Sequence, residues 1–110
     1  MMSRDKGLEA MLSDDLVEIP GITEKTMFGG WAWLLNGHLL CGARNDGLLI
    51  RLGKGNDDWA LAIPGIAPMI SRNKKMPGWV RVAPETCGDD ALRQRLLQAA
   101  QHFVLSLPAK

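Results

Sequence analysis

The sequence lacks several features that would place a protein in a special class. It contains no tyrosine and two phenylalanines, so four tryptophans supply most of its aromatic side chains. Its two cysteines, Cys41 and Cys87, are too few for a disulfide framework. No apolar run approaches the length of about 20 residues that a membrane-spanning helix requires, and the charged start is unlike a secretory signal. These absences predict a cytoplasmic protein with reduced thiols and without membrane contact.

Acidic side chains are missing from residues 59–84, although this segment contains the cations Arg72, Lys74, Lys75 and Arg81. We interpret the segment as a solvated basic turn, and the alternative is a site for an anion or a nucleic acid. The whole chain has a net charge of +1 at pH 7, so no global field attracts a polyanion. Nucleic-acid binding is therefore the alternative rather than the leading interpretation.

Length and composition predict one globular domain over residues 1–110, since 46% of the residues are hydrophobic and 23% are charged. Helical periodicity predicts an amphipathic helix over residues 4–19, with Asp14 and Asp15 on its solvent side. A short helix is expected to end near Ile63, and a closing helix is expected after an Asp89 cap.

Two glycine-containing pairs predict hairpin turns between strands. Asn36-Gly37 is a strong signal for a type I′ turn, because both central positions need positive φ, and Asp46-Gly47 can close a second hairpin in the same way. Two further strands are expected near residues 67–71 and 79–83. The predicted order is α-β-β-β-α-β-β-α. It indicates an α+β fold of two layers, an antiparallel sheet of about five strands with helices packed on it.

Alternation along the predicted strands assigns the side chains to two faces of the sheet. One face is entirely apolar and is expected to lie under the helices: Ala32, Leu34, Leu39, Cys41, Ala43, Leu48, Ile50 and Leu52. The other face is mixed aromatic and basic: Trp31, Trp33, Leu35, His38, Leu40, Arg44, Leu49 and Arg51. The assignment depends on the register of the first hairpin, because a slip of one residue exchanges the faces.

The mixed face is the main candidate for a partner-binding surface. Aromatic and arginine side chains together are typical anchors of protein interfaces and of base-stacking sites, and Trp31, Trp33, Arg44 and Arg51 are predicted to share this face. The alternative is that later elements of the same domain cover the tryptophans.

The residues provide little support for catalysis or metal binding. His38 and Cys41 lie three apart on a predicted strand and are expected to point to opposite faces, so they do not form a ligand pair. Cys41 is expected in the core, and Cys87 is expected to be exposed at a helix entry. We predict no catalytic residue, metal or cofactor. An enzyme or small-molecule-binding protein that uses His38, Cys87 or His102 is the alternative.

Six blocks of sequence, in order, resemble the TfoX (Sxy) N-terminal-domain family. They are Met27-Phe28-Gly29-Gly30, Asn36-Gly37-His38 with Cys41-Gly42, Gly47-Leu48 with Arg51, Pro68-Met69, Met76-x-Gly78-Trp79-Val80-x-Val82 and Ser106-Leu107-Pro108-x-Lys110. The resemblance implies a small stand-alone member with a two-layer fold and without known catalytic residues.

The namesake of this family is a regulator of bacterial natural competence, thought to act with a transcription activator. The resemblance therefore implies a non-enzymatic regulatory domain whose partner is a transcription regulator or another protein. A homodimer is a further expectation, because small domains often bury spare sheet surface symmetrically.

Overall fold

The computed structural model describes residues 6–27, 30–44 and 46–108, without the side chains of Met27 and Ser71. Phe28, Gly29 and Lys110 of the family motifs therefore lie outside the described residues. The elements follow in chain order: α1 Lys6–Leu16, β1 Ile22–Met27, β2 Gly30–Leu35, β3 His38–Arg44, β4 Gly47–Arg51, α2 Asp58–Leu61, β5 Ile66–Ser71, β6 Lys74–Val82, α3 Pro84–Cys87 and α4 Asp90–Leu105.

The strands form one antiparallel sheet of six strands in the order β1-β2-β3-β4-β6-β5. This confirms the predicted α+β class and corrects the expected number of strands. The additional strand, β1, is an edge strand with the sequence Ile-Thr-Glu-Lys-Thr-Met. Its exposed polar residues show no apolar alternation. It is therefore recognisable only through its regular pairing with β2.

The helices follow the apolar periodicity of the sequence. In α1 the buried residues Leu8, Leu12 and Leu16 recur every four positions and form one stripe. The helix ends at Leu16, earlier than the predicted residue 19, and Ile19 donates a backbone hydrogen bond to the Leu16 carbonyl over 3.1 Å. At the other end of the chain, the predicted cap of α4 is confirmed, because the Asp89 side chain accepts from the Leu92 amide over 3.0 Å.

The first hairpin forms at the predicted turn, but its register changes after two pairs. Asn36 and Gly37 have φ of 53° and 85°, as a type I′ turn requires. Next to the turn, Leu34 pairs with Leu39 as predicted. Trp33 then pairs with Cys41, so Leu40 is an extra residue in β3. This β-bulge shifts the rest of β2 by one position against β3.

The bulge places the two tryptophans of β2 on the helix-covered face. Trp33 and Leu35 are completely buried in the core, whereas Ala32 and Leu34 lie on the opposite face. The predicted faces are therefore wrong for β2 and for His38, Leu39 and Leu40 in β3, and they are correct for Cys41, Ala43, Leu48, Ile50 and Leu52. Strict alternation failed because one inserted residue reverses the phase, and hydrophobic residues occupy both faces of this hairpin.

All four helices lie on the same face of the sheet and share one core with it. α1 contacts β3, α4 contacts β2, β3 and β4, and α3 contacts β4 and α4. The short helix α2 contacts β5, and its Trp59 ring lies 4.2 Å from the Arg95 guanidinium of α4. Among the described residues, no helix covers the opposite face of the sheet.

A buried ion pair joins the first and last helices. Arg93 in α4 donates from Nε to Asp15 Oδ2 over 2.7 Å, and only 6% and 11% of the two side chains are exposed. Arg93 also contacts Asp90 over 2.8 Å and donates to the Cys87 carbonyl over 2.8 Å. The prediction that Asp15 faces solvent is therefore wrong, because α4 packs beside α1 and supplies its partner. These contacts raise the pKa of Arg93, chiefly through the hydrogen bond to Asp15.

Candidate functional site

The two tryptophans of the candidate surface differ in how deeply they are buried. Trp33 is fully buried in the core, and no hydrogen-bond acceptor for its Nε1 is present among the described residues. Trp31 is half-buried on the same face, near α1, and its Nε1 donates to Glu24 Oε1 over 2.8 Å. The bulge in β3 thus buries Trp33 and leaves Trp31 only partly accessible beside the first helix.

The two arginines of the candidate surface lie elsewhere. By alternation Arg44 belongs to the face opposite the helices, whereas the side chain of Arg51 reaches α4. The Arg51 guanidinium lies 5.5 Å from the centre of the Trp79 ring and 5.3 Å from that of Phe103, at the end of β4. The prediction that Trp31 and Trp33 share one face with Arg44 and Arg51 is therefore wrong.

We call the sheet surface opposite the helices the open face. Its side chains alternate with those of the core, and they are absent from the core cluster. They are Thr23, Lys25, Ala32, Leu34, Leu39, Arg44, Leu49, Ala67 and Arg81. Antiparallel sheets commonly have one solvated face, but such faces are usually polar. Here leucine and alanine occupy the centre, with Ala32 1% exposed, and Lys25 and Arg81 lie on either side of Ala32 and Leu49 in one cross-strand row.

A cluster of three charges occupies the part of the open face beside the β3–β4 turn. Asp46 lies between two arginines, with Oδ1 3.5 Å from Arg44 Nε and Oδ2 3.2 Å from Arg81 Nη1. These side chains line a shallow cleft with Leu49 and Met69. Only 7% of Leu49 is exposed, although no helix lies above it, because the long neighbouring side chains cover it.

Backbone geometry at Gly47 positions this charge cluster. Gly47 has a φ of 121°, and a Cβ there would collide with the Val82 carbonyl of the neighbouring strand. The close approach of β6 to the β3–β4 turn brings Arg81 to Asp46. Sequence reasoning placed Arg81 in the basic turn, and its partnership with Asp46 was missed because the two residues are 35 positions apart.

The four residues of the predicted basic turn do not form one site. Arg81 lies on the open face, paired with Asp46. Arg72, Lys74 and Lys75 are exposed at the tip of the β5–β6 hairpin, where Arg72 and Asn73 have φ of 52° and 65°. The prediction of an exposed basic turn is confirmed for Arg72, whereas Lys74 and Lys75 already belong to β6. Arg81 belongs instead to a strand.

The structure also locates the cysteines and histidines considered for chemistry. Cys41 is in the core as predicted, and burial, with a smaller contribution from the Asp15 charge, raises the pKa of its thiol. Cys87 is 1% exposed, not exposed as predicted, because α3 turns it towards the core, where its Sγ lies 3.7 Å from the Val82 carbonyl. His102 is exposed on α4.

His38 lies on the helix-covered face, and its Nε2 is 2.6 Å from the Pro108 carbonyl. The bulge returns Cys41 to that same face, so the prediction that His38 and Cys41 point to opposite faces is wrong. Within residues 6–27, 30–44 and 46–108, no three His, Cys, Asp or Glu side chains form a group that could hold a metal ion.

A sequence model of the TfoX N-terminal domain matches residues 14–104 of the 110-residue chain. The chain belongs to this family. The matched part of this TfoX N-terminal domain begins within α1 and ends within α4, so it contains the whole sheet and the open face. No curated protein and no solved structure gives a significant match.

The helices of this TfoX N-terminal domain cover one face of its sheet, and they are short compared with the thickness of a membrane. Within the described part of the chain, no helix is long and apolar enough to cross a bilayer.

Proposed function

We propose that this TfoX N-terminal domain is a non-enzymatic, cytoplasmic protein-interaction domain of a bacterial regulatory system, and that it binds its partner through the open face. Membership of the family supports a regulatory role, related to competence or transcription. A single structural observation carries the choice of surface. The helices cover one face of the sheet, and the other face has leucines at its centre and cations at its edges.

The apolar centre of the open face provides the hydrophobic part of such an interface. Leu34 and Leu39 are cross-strand neighbours in β2 and β3. Both are half-buried, and neither is part of the core. Facing leucines on a solvated sheet gain stability when a partner removes them from water, by about 25 cal/mol for each Å² of buried apolar surface. This pair therefore favours a partner with an apolar patch of its own.

The charges around the leucines define the complementary chemistry of the partner. Lys25, Arg44 and Arg81 lie at the edges of the apolar centre, and Asp46 is the carboxylate between the two arginines. Charges at the rim of an interface set the association rate and the choice of partner more than the affinity. We therefore expect a partner surface with carboxylates around an apolar centre, and we expect association to slow at high ionic strength.

The test compares equivalent substitutions on the two sides of the molecule. Leu39→Glu places a charge on the open face, and Leu105→Glu places the same charge on α4, where 57% of the leucine is exposed. Each tagged variant is expressed in the native cell, crosslinked and captured, and bound proteins are quantified by mass spectrometry. A partner of the open face should disappear with Leu39→Glu and remain with Leu105→Glu.

Thermal unfolding of both variants separates loss of binding from loss of folding. If Leu39→Glu does not fold, Arg81→Glu serves instead, because 48% of that side chain is exposed. A set of captured proteins that is identical for the open-face variant, the control and the parent would contradict the proposal. Light scattering of the purified protein shows whether the partner is a second copy, since Leu39→Glu should then convert a dimer to a monomer.

A further inference from the structure

The β5–β6 hairpin extends beyond the rest of the sheet. β6 has nine residues, but β4 pairs with only four of them, Trp79–Val82. Leu52 and Gly53 donate to the Gly78 carbonyl over 2.7 and 3.1 Å, and this is where the contact with the remaining sheet ends. We call residues 70–77 the ribbon. Within the described chain, Ile70 and Ser71 pair with Lys75 and Lys74, and an irregularity in the register separates these two pairs from the pairing of Pro68 with Val80.

The ribbon carries positive charge on both of its faces and at its tip. Arg72 lies in the two-residue turn, and Lys74 and Lys75 follow it in β6. Adjacent residues of a strand point to opposite faces, so the two lysines project from opposite sides of the ribbon. All three side chains are exposed, and Ile70, directly opposite Lys75, is 56% exposed.

Among the described cations, Arg72 differs from the other arginines, whereas Lys74 and Lys75, like Lys6, Lys25 and Lys54, simply form no ion pair. Every other described arginine contacts a carboxylate or an aromatic ring: Arg44, Arg51, Arg81, Arg93 and Arg95. No described carboxylate lies within ion-pair distance of Arg72, Lys74 or Lys75. The absence of acids from residues 59–84 keeps the ribbon cationic along its whole length. Three unpaired charges so close together repel one another, and a polyanion would relieve that repulsion.

The placement of the lysines distinguishes between two kinds of polyanion. A flat acidic protein surface can meet Lys74 or Lys75, but not both, because they project from opposite sides. A groove with phosphates on both walls can meet both. The major groove of B-form DNA is about 12 Å wide and admits a two-stranded β-ribbon, whereas the major groove of A-form RNA is too narrow for side chains to enter.

We propose that the ribbon enters the major groove of duplex DNA, with Lys74 and Lys75 contacting phosphates on opposite walls and Arg72 at its tip. This inference uses a different surface from the open face and does not depend on the proposed protein partner. Contacts with phosphates carry no sequence information by themselves. The ribbon therefore supplies affinity for DNA of any sequence.

Fluorescence anisotropy of the full chain with a labelled duplex of about 20 base pairs tests the proposal. Three phosphate contacts predict a slope of about −2.7 for log K against log salt, so the Kd should rise about 40-fold between 50 and 200 mM salt. At 50 mM salt we expect a Kd on the order of 10 to 100 µM, which is weaker than typical nonspecific binding because only three phosphates are contacted.

A matched pair of variants separates the ribbon from net charge. Lys74→Gln/Lys75→Gln and Lys6→Gln/Lys25→Gln each remove two positive charges from exposed lysines. The ribbon variant should weaken DNA binding at least tenfold, and the control variant should weaken it less than threefold. An equal loss in both variants, or no binding by the parent protein at 50 mM salt, would overturn the inference.

Competing ligands test the geometry of the groove. Single-stranded DNA and double-stranded RNA of equal charge should bind several-fold more weakly than duplex DNA. Equal or tighter binding of either would contradict insertion into a B-form groove. Tighter binding of polyglutamate than of duplex DNA would identify an acidic protein as the ligand instead. Leu39→Glu should retain DNA binding, so failure of the open-face proposal remains distinguishable from failure of this one.

Discussion

The Arg93 guanidinium in α4 and the Asp15 carboxylate in α1 form an ion pair 2.7 Å long that is almost completely buried. The pair connects helices that are 78 residues apart in sequence but adjacent on the same face of the sheet. Taking charges out of water is costly, and the cost is offset only while both partners remain. The packing of the helix layer therefore depends on both charges being present together.

Removing one partner of this pair should destabilise the protein strongly. We expect Arg93→Met to lower the free energy of unfolding by about 3–5 kcal/mol, because it leaves Asp15 buried without a counter-charge. The double variant Asp15→Leu/Arg93→Met should regain much of that loss. Arg95→Met is the control, since Arg95 is exposed and stacks on Trp59. Urea denaturation of all variants measures the effects, and additive losses in the double variant would contradict the prediction.

The buried thiol of Cys41 should make stability depend on pH in the alkaline range. Burial raises its pKa in the folded state, whereas an unfolded cysteine ionises near pH 8.5. The unfolded state therefore loses a proton that the native state keeps, and stability decreases as the pH rises above the unfolded pKa. Between pH 8 and 9.5 the expected loss is about 1.2 kcal/mol.

Cys41→Ala is the appropriate comparison for this pH effect. The variant should be less stable than the parent at pH 7.5, because it loses buried volume, but its stability should fall less steeply with pH. The chain contains no tyrosine, so no phenol titrates in the same range. Denaturant unfolding at several pH values gives both slopes, and identical slopes would show that Cys41 ionises equally in both states.

Two glycines with positive φ should differ in their tolerance of alanine. Gly55 has a φ of 86° and open space around the position of a Cβ, so Gly55→Ala should cost only the backbone strain, about 1–2 kcal/mol. Gly47 has a φ of 121°, and a Cβ there would also meet the Val82 carbonyl. Gly47→Ala should therefore cost at least 1 kcal/mol more. Thermal unfolding of the two variants measures the difference, and equal costs would contradict the close approach of β6.

Substitution of the more deeply buried tryptophan of β2 should lower the free energy of unfolding more than substitution of the other. Trp33→Leu shrinks a fully buried side chain and should lower the free energy of unfolding by about 2–4 kcal/mol. Trp31→Leu loses partial burial and one hydrogen bond to Glu24, which should cost about 1 kcal/mol. Urea denaturation gives both values. Small and similar costs for the two variants would indicate the register that strict alternation predicts, in which both side chains lie on the mixed face.

Much of the fold follows from patterns that are local in sequence. The Asn36-Gly37 turn, the Asp89 cap and the leucine stripe of α1 were all predictable, because each depends on residues within a few positions of one another. The edge strand β1 was not, since its polar residues acquire their conformation by pairing with β2.

The candidate surface was predicted less well than the fold. The choice between the faces of β2 depends on one extra residue, Leu40, and a run of apolar residues on both sides gives no sign of it. The Arg44, Asp46 and Arg81 cluster depends on the packing of β4 against β6, a long-range pairing. By contrast, the exposed tip at Arg72 was recognisable, because a charged turn needs no tertiary partner.

The extra residue in β3 also determines how the sequence can vary. Along β2, polar substitution should be tolerated less at Trp33 and Leu35 than at Leu34 between them. In β3 this alternation should be interrupted. Leu39 should tolerate polar substitution, but the next two positions, Leu40 and Cys41, should both be intolerant of it. A relative that lost one residue here would have to exchange large and small side chains throughout β2 to keep its interior filled. An insertion or deletion in β3 would therefore have to be accompanied by changes in the side chains of β2.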